Sequence, residues 1–486
     1  MAKQAPLTGK DLRNLGFPEG PVISITLNTL AKHHKRTARD VVFAMLSEIL
    51  TEPTKYTEDE VMGPIAKALL PKARPSNLVD LRDTGIPYEV YGAEGIEEGA
   101  QQQMRVAAKL PVAVAGALMP DAHHGYGLPI GGVLATDNAV IPYGVGVDIG
   151  CRMCLSIFDL PPGELDDRTS YFSREIHEAT LFGSGGIFKR PHDHEVMERV
   201  EFGETALLRQ LKERARQQLG TSGSGNHFVE FGVVEIGEGQ SEFGVPAGKY
   251  VGLLSHSGSR ALGANVAAHY TKLAKEKRAL PPEAANLAWL SLDEEEGIEY
   301  WRAMNLAGDY ASANHHIIHE KIAKQLGRQP LKRVENHHNF AWKEQHNGRE
   351  VIVHRKGATP AGKGVLGIIP GSMTAPGFIV RGKGEEASVA SASHGAGRRM
   401  SRTAALQKIT QSELKEELKA RGVTLLGGGL DEAPFAYKDI HAVMAGQRAL
   451  VDVVGTFQPK IVKMCGDAPR GGRKGGGGKS KVADGE

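Results

Sequence analysis

The sequence has little of what several specialised protein classes require. Only three of its 486 residues are cysteine: Cys151, Cys154 and Cys465. That is too few for a disulfide framework and suits a reducing compartment. No apolar run approaches the length of a membrane span, and the opening MAKQAPLTGKDLRN has no hydrophobic signal-peptide core. A cytoplasmic location with no membrane attachment is therefore expected. Net charge is only +2, so a polyanionic partner would have to meet a local basic surface. Aromatic residues make up 6%, which argues against a binding protein built on base-stacking platforms.

Glycine and histidine are plentiful instead, at 60 and 19 residues, and they often stand side by side in short loops. That pairing suggests an active site assembled from loops. Residues 1–78 read as an N-terminal helical extension. Within it, Gly16–Pro21 forms a turn, and Thr37-x-x-Asp40 opens a helix carrying Val41, Val42, Met45, Leu46, Ile49 and Leu50. Thr57-x-x-Glu60 resembles a capping box ahead of Val61, Ile65 and Leu69. His33-His34-Lys35-Arg36 reads as a solvated charge run. Residues 79–466 read as a second domain of mixed α+β class with a mixed sheet. Helices are expected over 96–109, 204–218, 262–279, 300–326 and 412–420, and strands over 112–118, 250–255, 351–354 and 378–381. The Gly/Lys/Arg-rich tail, 467–486, should be disordered because it has almost nothing to bury. It mimics a phosphate-binding loop, but Arg473 stands where that pattern needs glycine.

Five segments join a metal-binding or nucleophilic side chain to small neighbours: Asp148–Cys151, Gly223–His227, Ser255–Arg260, Asn336–Asn339 and Ser393–Arg398. Asp148 and Cys151 can face one metal from a tight turn. With His227, His256 and His338 they supply a carboxylate, a thiolate and three imidazoles, enough for two adjacent metals sharing the sulfur. Ligand type alone admits zinc, manganese, iron or cobalt. Cys151-x-x-Cys154 lacks the second cysteine pair of a zinc knuckle, and Cys154 reads as a strand residue turned inward. His315 and His319 share a helix face, but no Glu follows His315, and an ordinary helical surface is expected there. His123-His124 lies in a stretch too glycine-rich to be core. In Ser393–Arg398, glycines let backbone N–H groups approach an anion and Arg398 can hold phosphate bidentately. A neutral His394 beside that cradle can attack phosphorus, or act only as an acid or base.

In order along the chain stand MPDAHHGYGLPIGG (119–132), VGVDIGCRM (145–153), GSGNHFVE (223–230), SHSGSRALG (255–263), ENHHNFAW (335–342), RKGATPAGKG (355–364), IIPGSM (368–373), SHGAGR (393–398) and PKIVK (459–463). The ordered set resembles the RtcB family of RNA ligases over about 79–466. The resemblance implies that Asp148, Cys151, His227, His256 and His338 bind two Mn²⁺ ions, with Cys151 bridging. It implies that His394 becomes guanylylated and that Asn226, Glu230, Ser372, Ala396, Arg398, Tyr437 and Lys463 hold GTP. Asp121 matches an acidic residue near the reacting ends. The family often has serine where Gly377 stands, so one base contact is expected to be missing. The implied reaction joins RNA ending in a 2′,3′-cyclic phosphate or 3′-phosphate to RNA with a 5′-hydroxyl, in tRNA splicing or RNA repair. A monomer is the default, with an activating protein as a further partner. The rival readings are a related enzyme that caps 3′-phosphate ends and a phosphoesterase that uses no nucleotide.

Overall fold

A computed structural model describes residues 7–35, 37–70 and 77–466, in two compact units that divide between Leu78 and Val79. Arg36 and the tail 467–486 lie outside the described residues.

The first unit is helical, with helices Gly9–Leu15, Pro21–His33, Arg39–Thr51 and Gly63–Leu69. Its core joins Leu12, Phe17, Val22, Leu30, Leu46, Ile49 and Ile65. In the third helix the buried stripe is Val42, Leu46 and Ile49, whereas Val41 is exposed. Neither expected threonine cap forms. The third helix starts after Ala38, and the fourth starts after Met62. The Asp59 carboxylate accepts from the N–H groups of Val61 and Met62, which makes a local turn where a capping box was expected. A capping box does form at Thr8 with Asp11.

The second unit mixes helix and sheet. Its large sheet runs in the order Leu366–Ile369, Gly377–Gly382, Val451–Met464, Phe228–Ile236, Gly248–Ser257, Arg152–Phe158 and Lys332–His337. All these pairs are antiparallel; Thr424–Gly427 adds a parallel partner to Val451–Met464. The two ends of this order approach each other through a side chain. Asn336 donates to the Ile368 carbonyl at 3.2 Å and accepts from the Ile368 N–H at 2.9 Å. Its buried amide stands in for a peptide group, so the sheet is nearly closed and its edges are covered. Successive residues point to opposite faces. On Arg152–Phe158, Met153, Leu155 and Ile157 join one core cluster, while Phe158 joins another with Ile318 and Ile322 of the 32-residue helix Glu295–Leu326.

A second sheet of five strands runs Glu89–Val90, Ala113–His123, Ile130–Thr136, Arg349–Lys356 and Asn339–His346. One passage of the chain between the two sheets takes a single residue, His338, which lies between Lys332–His337 and Asn339–His346. That crossing is tied down: the His338 N–H donates to the Cys151 carbonyl at 3.0 Å, and the Ala358 N–H donates to the His338 carbonyl at 3.2 Å. Among the described residues, no helix is long and apolar enough to cross a membrane.

Candidate active site

The candidate ligands gather at one end of the large sheet. Cys151 immediately precedes Arg152–Phe158, and His227 immediately precedes Phe228–Ile236. His256, near the end of Gly248–Ser257, is in register with both Met153 and Phe228. Antiparallel register therefore brings together residues more than a hundred positions apart. The contacts form a chain: Asp148 Oδ2 lies 2.8 Å from His227 Nε2, which lies 3.4 Å from Cys151 Sγ. Cys151 Sγ lies 3.1 Å from His256 Nε2, which lies 3.1 Å from His338 Nε2. The sulfur thus stands between an Asp148/His227 pair and a His256/His338 pair.

Several features fit these donors to metal. His256 Nδ1–H donates to the Asn226 carbonyl at 3.2 Å, which leaves Nε2 with the lone pair facing the cluster. Nδ1 of His227 and of His338 are buried without a hydrogen-bond partner, so the protein alone does not satisfy these rings. Burial, reinforced by the neighbouring histidines, holds His338 well below the ordinary imidazole range, so it is a neutral donor. Burial raises the Asp148 carboxyl, but His227, Cys151 and Arg260 together offset it, and the net direction is down. The space is also shaped by glycine. A Cβ at Gly223 would lie 1.7 Å from His227 Nδ1, and one at Gly258 would lie 2.1 Å from Asp148 Oδ1.

His394 stands next to the cluster, its ring centroid 5.0 Å from that of His338. Asp121 is fully buried and its Oδ2 takes three donors: His394 Nδ1 at 2.7 Å, the His394 N–H at 3.1 Å and the Gly395 N–H at 3.3 Å. Burial raises Asp121, but His394, with Lys438 and His123 adding to it, holds the carboxyl below its ordinary value. An ionised Asp121 fixes the proton on Nδ1 and leaves the lone pair on Nε2. Asp121 thus orients the ring.

One cleft of about 790 Å³, open to solvent, joins these groups. It is lined by His256, His338 and His394 together with Asn226, Glu230, Ser372, Ala396, Arg398 and Tyr437. Burial pushes the Glu230 carboxyl well above its ordinary range. Gly377 also lines the cleft. Lys463 is not brought to it. It is in register with Val229, on the face opposite Glu230, and its ammonium lies over Phe182 beside His177. Arg398 lines the cleft, but its fork is turned away from a phosphate grip. It donates to Glu432 at 3.3 Å and to the carbonyls of Met400 and Asp431 at 3.2 and 2.7 Å. The cause is Glu432, a buried carboxylate that also draws in Arg402 and the Tyr437 hydroxyl. Sequence reasoning missed Glu432. The available signal was the polar, aperiodic run from Asp431 to Asp439, of which only Tyr437 was singled out.

Two further expectations are corrected. His123 is buried, at the end of a strand, and only His124 is exposed. His315 and His319, expected on a helix surface, are completely buried.

The family model described as tRNA-splicing ligase RtcB matches residues 103–464. The RNA-splicing ligase RtcB of Escherichia coli K12 is 35% identical over 401 residues, covering 75% of this chain and 94% of that protein. The tRNA-splicing ligase RtcB of Nanoarchaeum equitans is 32% identical over 452 residues, covering 78% and 95%. The tRNA-splicing ligase RtcB of Thermococcus kodakarensis is 29% identical, covering 77% and 94%.

Proposed function

The chain belongs to the RtcB family and is an RNA ligase, and from that premise we propose that it uses GTP and Mn²⁺ to join RNA 3′-phosphate ends to 5′-hydroxyl ends through a guanylylated His394. The observation that carries the reading is the shared cleft, where an imidazole oriented by Asp121 stands beside a metal-type donor cluster and shares its space with Asn226, Glu230, Ser372 and Tyr437.

In this reading, Asp148, Cys151, His227, His256 and His338 would hold Mn²⁺. The ions supply positive charge for phosphoryl oxygens. His394 Nε2 forms a bond to the α-phosphorus of GTP as the bond to pyrophosphate breaks. The positive charge left on the ring is balanced through Nδ1–H by Asp121. An RNA 3′-phosphate oxygen then displaces the histidine and takes the GMP. The 5′-hydroxyl of the second end attacks that 3′-phosphorus, losing its proton, and GMP leaves. A terminal 2′,3′-cyclic phosphate is first hydrolysed to the 3′-phosphate. Dividing the condensation into exchanges lowers each barrier.

Asn226, Glu230, Ser372, Ala396 and Tyr437 hold the nucleotide. Glu230 is a carboxyl kept neutral by burial, and it ionises when guanine N–H donors meet it. Arg398 acts by holding Glu432 and Tyr437 rather than by gripping phosphate. Lysines and arginines grip the RNA backbone, so affinity falls with salt. The enzyme works in the cytoplasm as a monomer, in tRNA splicing or RNA repair, with an activating protein as a further partner.

The test is incubation of the purified protein with α-labelled GTP and Mn²⁺, beside His394→Ala. Acid-labile label on the wild type alone is expected. No label on either protein, with both folded and metal bound, would overturn the mechanism and favour a phosphoesterase that uses no nucleotide.

A further inference from the structure

On the face of the large sheet opposite the cleft, the long helix Glu295–Leu326 covers a second group of metal-type donors. Cys154 on Arg152–Phe158 is in register with Ser255 on Gly248–Ser257. Their side chains meet His315 and His319, which are four residues apart on the helix and so share one of its faces. The Cys154 sulfur and one nitrogen from each histidine all lie within 4.8 Å of one another, and all three residues are buried. We propose that Cys154, His315 and His319 form a second transition-metal centre, structural rather than catalytic, that fastens the long helix to the sheet.

The hydrogen bonds carry the argument. Both rings converge on one hydroxyl: His315 Nδ1 lies 2.6 Å and His319 Nε2 lies 2.8 Å from Ser255 Oγ. The outer nitrogens are each held. His315 Nε2–H donates to the Ser257 carbonyl at 3.1 Å, and His319 Nδ1 meets Ser156 Oγ at 2.8 Å. Outer contacts of this kind orient metal-binding histidines and fix which nitrogen is bare. The Ser257 carbonyl fixes His315 with its lone pair on Nδ1, pointing inward. Ser255 has one proton to give. It can satisfy His315 only if His319 turns its own proton inward and accepts from Ser156. That network is complete without metal; with one bound, both inward nitrogens would serve as bare donors and Ser156 would accept from His319 Nδ1–H.

The donor set is a thiolate and two imidazoles, with Ser255 Oγ positioned as a fourth oxygen. That chemistry suits tetrahedral zinc or cobalt better than manganese or magnesium. The burial that lowers both imidazoles also raises the Cys154 thiol well above its ordinary range, with neighbouring Glu335 adding to it, so a metal has to displace that proton. Binding releases one proton, from the Cys154 thiol. None of the three residues lines the cleft, so the centre has no reach to substrate. It bears on the active site through the backbone: Cys154 is three residues from Cys151, and Ser255 is next to His256.

The test uses the full chain, stripped with chelator and reloaded with Co²⁺ alone. Cys151→Ser removes the active-site thiolate, so a remaining thiolate-to-cobalt absorption band must come from elsewhere. The proposal expects Cys151→Ser to keep that band with one tightly held Co²⁺, and expects both to vanish on adding either Cys154→Ala or His319→Gln. Zn²⁺ should bind Cys154→Ala more weakly by a factor larger than the roughly 10- to 100-fold that an outer contact is worth. Absence of the band in folded Cys151→Ser overturns the proposal. So does its persistence after Cys154→Ala, which would point to Cys465. Alanine keeps the small apolar volume at residue 154, and far-ultraviolet circular dichroism checks that each variant is folded.

Discussion

His354 should give the protein a measurable acid sensitivity that has nothing to do with its chemistry. The ring is completely buried on the strand Arg349–Lys356. Its Nδ1–H donates to the Leu134 carbonyl at 3.1 Å, and its Nε2 accepts the Ile141 N–H at 2.9 Å. The neutral ring is satisfied at both ends, and a second proton would point at an N–H donor. Burial, only partly opposed by the carbonyl contact, pulls the group from 6.5 to about 4. Above 6.5 both folded and unfolded chains are neutral here and the stabilisation is complete. Below 6.5 the unfolded chain takes up a proton that the folded chain refuses. The contribution is therefore lost as pH falls from 6.5 to about 4. At about 1.4 kcal/mol per pH unit, the loss is about 3 kcal/mol. His354→Gln removes the titration, so comparison with the wild type cancels every other titrating group. Urea unfolding should be followed by tryptophan fluorescence on chelated protein from pH 7 to pH 4. The three tryptophans, Trp289, Trp301 and Trp342, all lie in the second unit, so the signal reports that unit alone. The stability advantage of wild type over variant should shrink by about 3 kcal/mol across that range. An advantage that stays constant would refute the buried-neutral-histidine account.

Two further predictions concern the active site. Asp121→Asn removes the charge that fixes the His394 tautomer. Single-turnover transfer of GMP from α-labelled GTP should fall about 10²- to 10⁴-fold, with bound metal unchanged. Metal loss in that variant would mean that Asp121 supports the cluster instead. Gly223→Ala places a Cβ 1.7 Å from His227 Nδ1, so the ring must move. Metal content measured after dialysis should show affinity weakened by at least about 10-fold, and full retention would refute the close-approach argument.

The candidate metal donors could be read from the sequence because their chemistry and their setting agree. Asp148, Cys151, His227, His256 and His338 sit among glycine, serine and asparagine at strand ends, where a core residue has no reason to be. The α+β class and the five expected helices of the second unit could be read too, but only four of its strands, and central ones such as Phe228–Ile236 and Val451–Met464 were not. Packing choices hid the rest. His315 and His319 looked exposed because they stand in a run of small and polar residues. The long helix is buried on several faces, and it hides polar side chains as well as apolar ones. The threonine caps failed because the helices start elsewhere: the third begins after Ala38, and at the other site the Asp59 carboxylate takes the Val61 and Met62 N–H groups in a turn, so the fourth begins after Met62. Arg398 was read as a phosphate grip because its partner Glu432 lies more than thirty residues away, and no spacing rule connects them.

The strand Val451–Met464 lies well inside the large sheet, between Gly377–Gly382 and Phe228–Ile236. It is also made long after both of its neighbours. A growing chain that has not reached Val451 therefore carries two unpaired strand edges, each able to pair with another chain. Val462 and Met464 from this strand line the cleft, so the cleft is among the last parts to be completed. Products of interrupted synthesis should aggregate or be degraded rather than persist as half-built enzymes that hold metal and RNA without sealing anything.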